Sequence, residues 1–313
     1  MAGKERRDVT LLPKVASCIC LLLFTVAATL FTDASKLDDG SYPFNPVAVP
    51  CAVEALKLFI STVLLLHSKV KVSDGETAMT FTPLKFARYS LPAFCYFISN
   101  NCMLYIIREL GPTTFQITSN LKVLATAVLM RILLGRKLTW LRWKSLILLV
   151  LGSVVTQLKS EGSVEGSAIG YSFVAINSFA SGAGGVLSEM LLKSNTNDAP
   201  ESIHWQNMQL YLFGFLFGYG TLLFGSNDDT DELFNGFNIW ACATVISLTI
   251  AGLLVSFILK YLDNFAKCFV AAFSIIIVAS IHATLEVRDF PLKLVVGIIL
   301  TCLALEQYSL PQE

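Results

Sequence analysis

Ten runs of largely apolar residues, each close to the length of a bilayer-spanning helix, leave this chain little choice of fold. A spanning helix needs roughly 20 largely apolar residues. Such runs fall at 13–32, 44–67, 86–107, 112–134, 141–158, 167–192, 203–224, 238–259, 262–283 and 291–310. In hydrocarbon every backbone N–H and C=O must be satisfied within the chain, and a helix does this segment by segment. The expectation is an all-α polytopic membrane protein of about ten transmembrane helices. The intervals are short and carry turn residues, as in "DASKLDDGS", "SEGSVEG", "SNTNDAPES" and "GSNDDTDELFNG". None is long enough to fold separately, so residues 1–313 form a single transmembrane domain. Its composition, 54% hydrophobic and 15% charged, fits the bilayer, since soluble domains carry about 25% charge.

Basic residues gather on the cytosolic side of membrane proteins. One set of span ends holds Lys4, Arg6, Arg7, Lys69, Lys71, Lys85, Arg88, Arg136, Lys137, Arg142, Lys144 and Lys193. The other holds Lys36, Arg108, Lys159 and Arg288, with the acidic cluster Asp228, Asp229, Asp231 and Glu232. This predicts both termini in the cytosol and an even number of spans. "MAGKERRDV" before the first apolar run resembles a signal sequence, but no small-x-small cleavage site ends it, so a retained first span is expected.

The polar residues inside the spans point to function. Thr118, Ser119, Lys122 and Thr126 share one helical face in the fourth span. A similar stripe, Lys260, Asp263, Asn264, Lys267 and Ser274, recurs five spans later. Two five-helix halves (1–160 and 161–313) would match these as fourth helices, and an odd number per half makes the repeats inverted, with a site at their interface. A lysine at bilayer depth costs about 2.5–3.5 kcal/mol, so an intramembrane lysine marks a ligand or ion pathway by default. Lys267 could instead snorkel to the interface or pair with Asp263. Tyr96, Ser99, Asn100 and Asn101 occupy the third span, as cavity lining or as interhelical hydrogen-bonding groups. Glu54 and Lys57, one turn apart, are an internal ion pair or a ligand contact. Asn207 and Tyr211 line a cavity or pack. Glu189 is expected to be an interfacial charge.

Several chemistries are excluded or unsupported. A formal net charge of zero, with 23 basic and 23 acidic residues, argues against nucleic-acid binding. The eight cysteines and three histidines have no metal-ligand spacing, and no Gly-x-Ser-x-Gly elbow occurs. No cofactor is expected. "SFASGAGGV" lacks the Lys-Ser/Thr of a phosphate loop, and its small-xxx-small pairs suit close helix packing.

"ISNNCMLYIIRELGPTTFQITSNLKVLATAVLMRILLGRKLTWLRWKSLILLVLG" resembles the central block of the Golgi and endoplasmic reticulum nucleotide-sugar transporters, in particular the CMP-sialic acid and UDP-galactose branch. "AVEALKLFIS", "GVLSEMLLKSN" with "QNMQLYLFG", and "LKYLDNFAKCFVAAFSIIIVASI" extend it over most of the chain in order. The resemblance implies the ten-helix drug/metabolite-transporter fold of inverted repeats. It also implies exchange of a nucleotide sugar for a nucleoside monophosphate in the lipid membrane of the Golgi or endoplasmic reticulum. It further implies that Lys122 and Lys267 contact phosphate, that Tyr96, Asn100 and Asn101 line the nucleotide pocket, and that Asn207, Tyr211 and Asn264 form the cavity wall. Glu54 and Lys57 match the family's paired charges. Phe115 and Ser119 stand where sialate and galactose members usually carry tyrosine, which leaves sugar and base open. A non-transporting scaffold or receptor relative, an intramembrane enzyme, and a homo-oligomer also stay open.

Overall fold

A computed structural model describes residues 10–37, 41–45, 48–71, 82–157, 168–194, 201–225, 235–285 and 292–309. The topological markers Lys4, Arg6, Arg7, Lys159, Asp228, Asp229, Asp231, Glu232 and Arg288, and both termini, lie outside the described residues. The described chain is helical: α1 (Leu11–Ala34), α2 (Ala48–Lys71), α3 (Pro83–Arg88), α4 (Ser90–Thr118), α5 (Leu121–Leu133), α6 (Trp140–Gln157), α7 (Ala168–Lys193), α8 (Ile203–Gly225), α9 (Ile239–Tyr261), α10 (Asn264–Leu285) and α11 (Leu292–Ser309). By length and composition alone, Leu11–Ala34, Ala48–Ser68, Pro83–Leu110, Ile239–Tyr261 and Asn264–His282 are each apolar enough to cross a bilayer.

Local chemistry sets the ends. Pro83 opens α3, where its missing N–H is not needed. Asn238 caps α9 by accepting from the Ala241 N–H at 2.8 Å, and Asp263 accepts from the Ala266 N–H at 2.8 Å at the head of α10. Gly135 follows α5 at φ +62°, a conformation that favours glycine. It turns the chain so that the Arg136 N–H returns to the Met130 carbonyl at 3.3 Å.

Two elements depart from the sequence-based boundaries. The gap at 108–111 is filled: helix α4 runs through Gly111 and Pro112, and breaks at Ser119–Asn120. A lone proline removes one hydrogen bond, and a helix in an apolar setting keeps its remaining backbone groups paired. The chain reverses between Leu110 and Thr126, because Gly170 near one end of α7 faces Leu110 while Gly182, near its middle, faces Thr126. The second departure is Lys260. It ends α9, whereas Lys267 belongs to α10, so the expected single stripe is divided by the break at Leu262–Asp263.

Several helix contacts correspond when the first five long helices (α1, α2, α4, α5, α6) are exchanged for the last five (α7 to α11), whereas others, such as α7 with α9, have no counterpart of that kind. Helix α4 lies along α7 as α9 lies along α1, and α5 lies on α7 as α10 lies on α1. Helix α4 touches α8 as α9 touches α2, while α2 pairs with α8 and α6 with α11. Under this exchange α5, with Lys122, corresponds to α10, with Lys267. Below them Val123, Met130, Leu146, Leu149, Val186, Phe265 and Phe269 form the largest core cluster.

Glycines on α7 make these approaches feasible, as expected of "SFASGAGGV". A Cβ on Gly182 would sit 3.1 Å from the Thr126 backbone N of α5, one on Gly184 3.0 Å from the Tyr96 ring of α4, and one on Gly185 2.5 Å from Asn264 Nδ2 of α10. Gly185→Ala must therefore move α10 or the Asn264 side chain, at roughly 1–3 kcal/mol for overpacking. Gly220 on α8 has nothing within 4 Å of an added Cβ, so Gly220→Ala should be neutral or stabilising. Melting temperatures of the two purified variants in detergent check the contrast; equal values would mean that the α7–α10 contact is loose.

Candidate functional site

Lys122 is the second residue of α5 and lines a cavity of about 20 Å³ between α5, α6 and α10, with Asn120, Ser153, Cys268 and Ala271 among its walls. That volume holds a single water. Cys268, the neighbour of Lys267 on α10, lines the same cavity. Among the described residues, neither lysine forms a salt bridge. Lys267 places its Nζ 5.8 Å over the ring of Tyr96, a cation–π distance. Tyr96 in turn packs on Gly184. The two lysines thus belong to neighbouring parts of α5 and α10.

On the far side of Tyr96 lies a second charged group. Lys57 Nζ of α2 is 2.5 Å from Glu54 Oε1 and 4.4 Å over the ring of Tyr211 of α8. Tyr211 is buried, with its hydroxyl 2.6 Å from Ser256 Oγ and donating to the Gly252 carbonyl at 3.3 Å, both on α9. Glycines again clear the space: a Cβ on Gly252 would lie 2.7 Å from Lys57 Cδ, and one on Gly214 2.8 Å from Glu54 Oε2. Glu54 and Lys57 therefore form the internal ion pair that their spacing permitted, clasping α2, α8 and α9.

The remaining candidates divide. Asn207, one turn before Tyr211, is buried, and its Oδ1 has no hydrogen-bond partner. Such a group costs free energy unless something donates to it. Asn264 is buried at the head of α10 against Gly185, and its Oδ1 is likewise unpartnered. Ser99 donates to Asn177 Oδ1 of α7 at 2.6 Å, an interhelical bond. Asn101 donates to the Phe97 carbonyl of its own helix at 2.9 Å, and Asn100 is exposed. Ser119 sits half-buried in the turn between α4 and α5, and Phe115 packs against the cluster of Cys102, Ile106 and Val174.

Sequence reasoning undervalued Glu189. Its side chain is wholly buried, and its Oε1 meets Arg136 Nη2 at 2.8 Å and Lys193 Nζ at 2.7 Å. Its Oε2 accepts the Asn264 backbone N–H at 2.9 Å. Lys193 also donates to the Leu262 carbonyl. The signal available was the Glu–Lys pair at i, i+4 inside an apolar helix; its partners from α5 and α10 are distant in sequence. Nearby, Glu201 is buried and pairs with Lys85 at 2.5 Å, while Lys260 donates to the Glu201 carbonyl at 2.7 Å and to Gln206 Oε1 at 2.6 Å. Lys260 is thus a structural tie between α8 and α9.

The sequence pattern of the nucleotide-sugar transporter family matches residues 10–309. CMP-sialic acid transporter 1 of Oryza sativa subsp. japonica is 30% identical over 304 residues, spanning 93% of this chain and 92% of that protein. CMP-sialic acid transporter 1 of Arabidopsis thaliana is 30% identical over 309 residues, spanning 94% and 88%. The probable UDP-sugar transporter protein SLC35A4 of Xenopus tropicalis is 29% identical over 247 residues, spanning 76% and 74%. A solved crystal structure superposes with a TM-score of 0.68 over 95% of this chain and 96% of its own, at 13% identity, a likeness of fold alone. Matched from end to end of its helical region, the chain belongs to the nucleotide-sugar transporter family.

Proposed function

We propose that this protein exchanges a nucleotide sugar for the corresponding nucleoside monophosphate across a Golgi or endoplasmic reticulum membrane. In this reading it is built of two inverted five-helix repeats, with its termini and basic end in the cytosol. The observation that carries the proposal is the placing of Lys122 of α5 in one cavity wall with Cys268, the neighbour of Lys267 of α10, with no salt-bridge partner for either lysine among the described residues. Two ammonium groups in a low-dielectric interior repel, and an anion between them relieves that repulsion. A phosphate does so with several acceptor oxygens, each a charge-assisted hydrogen bond. Asn207, with its unpartnered buried oxygen, is placed one turn from Tyr211 to accept from a base or a sugar hydroxyl. The family's chemistry is transport, and no bond need be made or broken. The helix contacts that correspond on exchange of halves support rocking of one half against the other around a central site. Exchange follows because the empty cavity, with two uncompensated lysines, is costly to reorient, whereas either loaded form is neutralised. Names of relatives favour pyrimidine nucleotide sugars, CMP-sialic acid or a UDP-sugar, as the first to try.

The direct test is uptake of labelled nucleotide sugar by reconstituted vesicles. Uptake should rise when vesicles are preloaded with the cognate monophosphate. A scaffold or receptor relative would show no uptake, with or without preloading, and that result would overturn the proposal.

Lys122→Ala is expected to leave folding intact or improve it, because it removes a buried uncompensated charge. It should weaken nucleotide binding by about 1.5–3 kcal/mol, the worth of a hydrogen bond to a charged group, or roughly ten- to a hundred-fold in affinity. Melting temperature and nucleotide affinity measured on one preparation decide the matter; early melting with normal affinity would make Lys122 a structural strut. Lys57→Met leaves Glu54 buried without its partner, so this variant should lose stability and melt below wild type, the opposite of Lys122→Ala.

A further inference from the structure

The Glu189 carboxylate occupies a place built for an anion. Around it stand a guanidinium (Arg136, 2.8 Å), an ammonium (Lys193, 2.7 Å) and the backbone N–H of Asn264 (2.9 Å) at the start of the 22-residue helix α10. Arginine, lysine and a helix N-terminus are the donors that phosphate sites commonly combine. Here the anion is tethered to α7 and fully buried, while Arg136 is 39% and Lys193 28% exposed at the side chain. The cations therefore face the water at the basic end, with the carboxylate behind them. The contact also joins the two halves: Arg136 follows α5 of the first, whereas Glu189 and Asn264 belong to the second. Gly185, one turn before Glu189, supplies the gap into which Asn264 fits, so the close approach of α10 to Glu189 is built into the packing. From Asn264 to Lys267 is one helical turn.

We infer that Glu189 is an internal counter-anion that latches the basic end. The phosphate of entering cargo displaces it from Arg136 and Lys193, opening the halves on the way to Lys122 and Lys267. Carboxylate and phosphate compete for the same donors, so the latch is released only when an anion replaces the one that leaves. Glu189 touches no cargo; it acts as a positioning residue through α10 and Arg136. The inference rests on the transport reading for its place in the cycle, but the anion site itself does not.

The test uses Glu189→Gln, which keeps the side-chain volume and an acceptor for the Asn264 N–H while removing the charge. With two cations then uncompensated, inorganic phosphate should raise the melting temperature of the purified variant above its value in chloride at matched ionic strength. The wild type should show a smaller rise, and Glu189→Gln/Arg136→Gln should lose the gain. A phosphate response no larger in Glu189→Gln than in wild type overturns the inference, whether or not the protein transports anything. If Glu189→Gln does not fold, Arg136→Gln carries the test, because its side chain is partly exposed. Uptake of labelled nucleotide sugar into unloaded vesicles should rise relative to preloaded ones by roughly fivefold or more, the usual size of coupling between linked sites. An unchanged ratio in a transporting Arg136→Gln variant overturns the latch. Absence of uptake in wild type and variant alike overturns the transport reading and leaves the phosphate comparison to decide the anion site.

Discussion

A charge inside the bilayer must be answered by another group or by cargo, because the insertion cost of about 2.5–3.5 kcal/mol is large beside the 5–15 kcal/mol that holds a typical fold together. This chain answers its buried charges in two ways. Lys57 is answered on the spot, by Glu54 at 2.5 Å and the face of Tyr211. Glu201 is answered by Lys85, and Glu189 by Arg136, Lys193 and the head of α10. Lys122 lines a cavity the size of one water with Cys268, the neighbour of Lys267, in its wall, and among the described residues neither lysine has a salt-bridge partner. The paired charges are ties of the structure, and these two lysines are not tied in that way.

Close packing lets so many polar groups meet in so small a volume. The α7 glycines bring α4, α5 and α10 against one helix, and Gly214 with Gly252 does the same for α2 between α8 and α9. In membranes, where no hydrophobic effect drives helices together, small residues at contacts permit the van der Waals and hydrogen-bond terms that do. Gly184, Gly185, Gly214 and Gly252 are opposite polar or aromatic side chains from other helices: Tyr96, Asn264, Glu54 and Lys57. Packing and site are thus made by the same positions, so a substitution in "SFASGAGGV" perturbs the site residues it supports.

Much of this was legible in the sequence, for a physical reason. Apolar run length is a local property, and hydrocarbon thickness converts it into helices, so the ten runs correspond to the ten long helices. Lys122 and Lys267 were legible because a charge in such a run is conspicuous. The α4–α5 boundary was misjudged because Gly111-Pro112 is a turn signal in water, whereas the helix persists through it here. Lys260 was grouped with Lys267 by spacing, a rule that holds only within one helix, and the break at Leu262–Asp263 lies between them. Glu189 was taken for an interfacial charge since its meaning depends on Arg136 and Asn264, 53 and 75 residues away in sequence. Tertiary partners of that kind leave no periodic mark. Tyr96 and Asn100, one turn apart, share a helical face, while Asn101 beside them donates back to the Phe97 carbonyl of its own helix.

The two ends of the bundle are held by contacts of unequal strength. At the basic end, Glu189 and Glu201 have no exposed side-chain surface, and each pairs across the halves, with Arg136 and Lys85. A buried ion pair is costly to break where nothing else answers the remaining charge; Glu189 without Arg136 keeps Lys193 and the Asn264 N–H. At the opposite end the polar cross-half contacts among the described residues include Asn238 donating to the Ser35 carbonyl at 3.0 Å, Thr32 near Thr244 at 3.5 Å, and His282 at 3.6 Å from Asp33, both well exposed; the rings of Phe44 and Phe237 also meet there, 4.8 Å apart. An exposed pair contributes about 0–1 kcal/mol, and water replaces its partners as the contact separates. Separating the halves at the first of these places therefore uncovers buried charge, whereas the described polar contacts at the second give way to water at lower cost.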